Sequence, residues 1–71
     1  MSHRILLDRL LSLGWKAPAH SYQYVRVEHP DGRHGQLPFA NAPTKQWHAA
    51  LWARIKKDLR LQGEEIYGRP R

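Results

Sequence analysis

The sequence predicts a small α+β domain: a two-layer α-β-β-(β)-α arrangement with both helices on one face of a small antiparallel sheet. Three observations carry this. Apolar residues recur at helical spacing near both ends of the chain, the stretch from Tyr22 to Leu37 alternates like strand, and His29-Pro30-Asp31-Gly32 divides it as a turn. With 71 residues there is room for one domain, residues 1–71, with a compact part over about 3–62 and a frayed tail over 63–71. A chain of this length buries only about 60% of its unfolded surface, so the core is small.

Ser2 is placed to cap a first helix over residues 3–13, in which Ile5, Leu6, Leu10 and Leu13 form an apolar stripe that Leu7 and Leu11 widen. Gly14 suits the left-handed position that ends a helix, and Trp15 follows as a core anchor. Lys16-Ala17-Pro18-Ala19 reads as loop. A first strand is expected over residues 21–28. Val25 and Val27, with Gln23, lie on one side of it, and Tyr22, Tyr24, Arg26 and Glu28 on the other.

The turn His29-Pro30-Asp31-Gly32 has proline second and glycine fourth, as a type I turn prefers. A second strand follows over residues 33–37, weakened or bulged at Gly35, and Phe39 returns to the core. A short third strand fits just before the loop Ala40-Asn41-Ala42-Pro43. Thr44 then caps a last helix with Trp47, Leu51, Ile55 and Leu59 four apart as its buried stripe.

Charge is the strongest global feature. Twelve Lys and Arg against six Asp and Glu give a formal net charge of +6 and a pI near 10.3. A polyanion is the expected partner, with RNA or another nucleic acid first and an anionic membrane surface second. No apolar run approaches the roughly 20 residues of a membrane span, and Asp8 and Arg9 interrupt the N-terminal apolar run too soon for a signal peptide. There is no cysteine, which removes disulfides and thiolate zinc sites and suits a cytoplasmic protein.

The five histidines match no metal-ligand spacing, so no metal and no cofactor is expected. Gly32 and Gly35 make no phosphate loop, because the spacing is wrong and no helix follows. The exposed hairpin is the working face expected from the residues. Its aromatics and cations suit base stacking and phosphate contact, the same residue types suit a protein-binding hot spot, and tyrosines are also simply good strand formers. The nucleic-acid-binding candidates are Tyr22, Tyr24, Arg26, His29, Arg33 and His34, joined by Lys45 and Lys56 from the region of the last helix.

The order of elements, with Leu13-Gly14-Trp15, His29-Pro30-Asp31-Gly32-Arg33 and Pro38-Phe39, resembles the HicA (YcfA-like) family over about residues 3–61. The run Ile55-Lys56-Lys57-Asp58-Leu59 fits that family's terminal helix. The resemblance implies an α-β-β-β-α fold similar to double-stranded-RNA-binding domains. It also implies an RNA-cleaving toxin of a bacterial toxin–antitoxin pair, with an antitoxin partner covering the RNA-facing side.

The chain departs from the family where the reaction is concerned. The family's catalytic histidine lies in a Gly-Ser-His-x-x-aromatic motif at the start of the first strand, and an ungapped comparison puts Tyr22-Gln23-Tyr24 there. Tyr24 thus takes the catalytic position. His20 reaches it only if the strand is four residues longer than usual. Metal-free RNA cleavage needs a base for the 2′-hydroxyl proton, and a phenol titrating at about 10 is a poor one at neutral pH. Three readings stay open: a HicA-like RNA binder without the standard catalyst, a non-catalytic interaction protein such as a phage or mobile-element inhibitor, and an endoribonuclease using His20 or His29.

Overall fold

In a computed structural model, which describes residues 1–67, the chain runs α1 (His3–Ser12), β1 (Lys16–His20), β2 (Tyr24–Glu28), β3 (His34–Pro38), α2 (Ala49–Asp58) and α3 (Gly63–Tyr67). The strands form one antiparallel sheet in the order β1-β2-β3. The α+β class and the three-stranded sheet agree with the sequence reading, but the third strand precedes the hairpin instead of following it. Pro18 explains the discrepancy. Proline cannot donate to a ladder and is tolerated on an edge strand, and the β1–β2 register breaks between Lys16 and Ala19, around it.

Helix α1 begins and ends as its sequence dictates. Ser2 is extended, with φ −123°, and its Oγ accepts from the Ile5 amide at 3.5 Å. At the other end Gly14 adopts φ +94°, and the Trp15 amide returns to the Leu10 carbonyl at 3.0 Å, which closes the helix as a Schellman motif. The apolar stripe is narrower than expected. Leu6 and Leu10 are fully buried, whereas Ile5 and Leu11 are about half exposed.

Val25 and Val27 on β2 and Leu37 on β3 point into the core. The turn between these strands is tied by the Gly32 amide to the His29 carbonyl at 3.0 Å, and Gly32 takes φ +100°. No bulge occurs at Gly35, which pairs directly with Val27. Its missing side chain serves packing, since a Cβ there would lie 2.3 Å from Leu59 Cδ2.

Thr44 is not the cap of the last helix. Thr44 and Lys45 lie in a turn, and residues 46–47 then run along the N-terminus: Ser2 bridges Gln46, and the Trp47 amide donates to the Met1 carbonyl at 2.8 Å. Helix α2 therefore starts only at Ala49, capped by His48, whose Nδ1 accepts from the Leu51 amide at 3.1 Å. Trp47, Ile55 and Leu59 are buried as expected, Trp47 from outside the helix, and Leu51 is half-buried. With Leu6, Leu10, Trp15, Val25, Val27 and Leu37 they make one core on one face of the sheet.

The segment read as a frayed tail is helical over Gly63–Tyr67, and residues 68–71 lie outside the described residues. Glu65 anchors it. The Arg33 guanidinium meets the Glu65 carboxylate bidentately at 2.6 and 3.1 Å, and the Trp15 indole donates to the same carboxylate at 2.6 Å. The Gln62 amide adds a fourth bond at 2.9 Å. Arg9 also donates to the Ile66 carbonyl.

Candidate nucleic-acid interface

Strand pairing decides which side chains share the open face of the sheet. Lys16 stands opposite Glu28, and Glu28 opposite His34. Arg26 stands opposite Gln36, and Tyr24 opposite Pro38. All lie on the side away from Val25, Val27 and Leu37, because successive strand residues alternate faces. Lys16, Tyr24, Arg26, His34 and Gln36 are exposed. Glu28 is the one carboxylate in these rows. Its Oε1 lies 3.1 Å from Arg26 Nε, with both side chains about half exposed, which leaves Arg26 accessible to a competing anion.

The other sequence candidates divide sharply. Tyr22, expected on the first strand, sits in the β1–β2 turn and is 80% exposed. Lys45 lies in the loop before α2 with its Nζ 5.4 Å from the Phe39 ring centre. Lys56, on α2, holds its Nζ 5.2 Å from the Trp52 ring centre. Neither joins the open face.

His29 and Arg33 serve the structure. His29 packs edge-on against Trp15, with ring centres 5.1 Å apart, and its Nδ1 lies 2.9 Å from Asp31 Oδ1. Arg33 is 8% exposed, with its guanidinium held by Glu65, by Asp31 at 2.8 Å and by the Arg60 carbonyl at 2.9 Å. Four of its five N–H donors are engaged within the fold and the side chain is buried, so it is not placed to receive a phosphate. The Glu65 hydrogen bonds, foremost, hold the Arg33 guanidinium above its ordinary pKa. Burial alone pushes the Glu65 carboxyl up, but the bonds from Arg33, the Gln62 amide and Trp15 outweigh it and hold that carboxyl below the usual range.

Tyr24 and His20, the two catalytic candidates, flank the β1–β2 turn. The Ser21 amide donates to the Tyr24 carbonyl at 2.8 Å, and the Tyr24 amide approaches Ser21 Oγ at 3.3 Å. His20 pairs with Val25, so it belongs to the helix-facing side, whereas Tyr24 belongs to the open face. The register thus places the two on opposite sides of the sheet. His20 lines a cleft with His3 and Arg4 of α1.

Among the described residues, no group of three or more His, Asp or Glu is arranged to hold a metal ion, and no helix is long and apolar enough to cross a membrane. The sequence reading missed Lys16 and Gln36 on the open face and His3 and Arg4 at the cleft. Lys16 was hidden by the loop-like Pro18. Gln36 was legible, two residues on from His34 in the same alternation. His3 and Arg4 carried no signal of their own, because their neighbours in the cleft come from a distant turn. No family model, curated protein or solved structure matches the chain.

Proposed function

We propose that this protein is a HicA-like RNA-binding protein of toxin–antitoxin type that engages RNA through the open face of its sheet. The observation that carries the reading is the composition of that face: Tyr24 beside Arg26, flanked by Lys16, His34 and Gln36, with Glu28 the one carboxylate in the strand rows and the Arg54–Asp58 pair of α2 bordering Tyr24, His34 and Gln36. An aromatic surface among cations stacks unpaired bases and holds phosphates without demanding a sequence. The net charge of +6 supports the same partner, and the α1-β1-β2-β3-α2 order is the order the HicA resemblance implies. Tyr24 acts as a stacking platform in this reading, not as a base. Partner proteins, an antitoxin first, would cover the same face.

The test is titration of a short single-stranded RNA at several salt concentrations. Affinity should fall steeply as salt rises, because phosphate contacts release counterions. The double variant Tyr24→Ala/Arg26→Ala should lose about 1–3 kcal/mol for the lost stacking alone. Lys57→Ala, exposed on α2, should bind close to wild type. Equal affinities for all three proteins would refute the assignment of the open face. Absence of RNA binding at low salt would transfer the face to the interaction-protein reading.

A further inference from the structure

The cleft that receives His20 lies on the other side of the β1–β2 hairpin from Tyr24. It is a shallow groove, widely open to solvent, of about 490 Å³. It is built by the first turns of α1, the β1–β2 turn with His20 and Val25 of the strands beside it, and the loop before α2. His3 is its floor. That ring is 4% exposed and fixed, since the Pro38 carbonyl 3.0 Å away only accepts and Nδ1 must donate to it. Arg4 and His20 stand at the rim, both exposed.

The polar groups of this cleft are of one electrical kind. Arg4, His3 and His20 line it, together with Ser21, Tyr22 and Asn41, and no carboxylate does. Among the described residues Arg4 has no ion pair, not even with Asp8 one turn further along α1. A guanidinium beside imidazoles and neutral donors, with no carboxylate to neutralise it, selects an anion. The remaining wall is apolar, from Leu7, Val25 and Pro43, and a phosphate ion alone would leave it and most of the volume unused. Tyr22, at the turn apex, offers an 80% exposed ring at the same opening.

We propose that this cleft binds one nucleotide unit, with Arg4 and His20 holding its phosphate and Tyr22 stacking on its base. The phosphate comes either from a free nucleotide or from a nucleotide of the RNA strand already engaged by the open face. Only the second source rests on the RNA-binding reading. In that case the strand wraps around the β1–β2 turn, with Tyr24 on one side and Tyr22 leading to the other.

The experiment is amide and side-chain NMR of the full chain, titrated separately with uridine monophosphate, uridine, inorganic phosphate and the short RNA. The nucleotide should shift Arg4, His20 and Tyr22 together. Uridine alone should bind about tenfold more weakly or worse, having lost the charge-assisted bonds. Arg4→Gln and His20→Ala change exposed side chains, so their spectra should stay folded while nucleotide affinity drops, by about tenfold or more for Arg4→Gln. Equal affinity for inorganic phosphate and the nucleotide would reduce the cleft to an anion site and overturn the proposal. Nucleotide shifts that avoid the cleft, or that survive Arg4→Gln unweakened, would overturn it as well. RNA binding lost in Tyr24→Ala/Arg26→Ala with the cleft silent toward nucleotide would sink this inference alone. A cleft that binds nucleotide while those open-face substitutions leave RNA affinity intact would sink only the open-face reading.

Discussion

Glu65→Gln isolates the charge at the centre of the only buried ion pair among the described residues. Both partners are under 10% exposed, and the carboxylate collects four hydrogen bonds, two from Arg33 and one each from Trp15 and the Gln62 amide. Breaking such a pair from one side costs about 3–5 kcal/mol, because the surviving charge stays buried. Here Asp31 and the Arg60 carbonyl still hold Arg33, so the low end, about 3 kcal/mol, applies. A domain of this length has roughly 4–11 kcal/mol in total, at about 0.05–0.15 kcal/mol per residue. The expected fall in melting temperature is then about 10–25 °C by calorimetry or circular dichroism. Acid should erase the difference. The Glu65 carboxyl is held low in the fold, so its contribution is fully present above the ordinary glutamate value of 4.5 and is lost as pH falls through its folded value. The gap between wild type and variant should therefore begin to narrow below that ordinary value and close only once pH has fallen below the lowered folded value. Replacing both partners, Arg33→Met with Glu65→Leu, should recover part of the loss, since no charge is then stranded. A Glu65→Gln melting temperature within a few degrees of wild type, or a gap that persists in acid, would show that α3 does not dock through this pair.

Two further predictions concern Gly35 and Tyr24. Gly35→Ala places a methyl group against Leu59 and should destabilise by about 1–3 kcal/mol in urea unfolding, while Gly63→Ala, with open space around it, should not clash. Wild type should leave RNA uncut, and Tyr24→His should gain weak cleavage on a gel assay. Cutting by wild type that disappears with His20→Ala would make His20 the catalyst and Tyr24 a bystander.

Much of the fold was legible because local chemistry and tertiary contacts agree. Ser2, Gly14 and the His29–Gly32 turn adopt the conformations their residue types favour, and Val25, Val27, Ile55 and Leu59 bury the stripes their spacing predicts. The failures share one cause: contacts between segments far apart in sequence. Helix α2 could have begun after Thr44 by propensity, yet residues 43–45 turn, and the bridge from Gln46 to Ser2 and the bond from Trp47 to Met1 lay residues 46–47 along the N-terminus. Strand β1 carries a proline that argues against it and forms because β2 offers an edge. Segment 63–67 lacks an apolar stripe of its own, and a carboxylate fixes it to an arginine 32 positions earlier.

That last pairing also redistributes the basic charge from which a nucleic-acid partner was inferred. Arg33, the residue next to the conspicuous turn, is spent on Glu65 and Asp31, and His29 is spent on Trp15 and Asp31. The turn is therefore a structural corner. Among the accessible cations, Arg4 stands at the cleft and Lys16 and Arg26 on the open face, while Lys45, Arg54, Lys57 and Arg60 are exposed elsewhere. Tyr22 and Tyr24 lie between Arg4 and the open-face pair, on either side of one turn. A strand of RNA meeting both tyrosines would pass from Lys16 and Arg26 to Arg4, with its phosphates competing against Glu28 for Arg26. In the proposed RNA-binding reading, substitutions at Tyr22 and Tyr24 about the β1–β2 turn should therefore change nucleic-acid binding more than substitutions at His29 or Arg33, which are engaged in the fold.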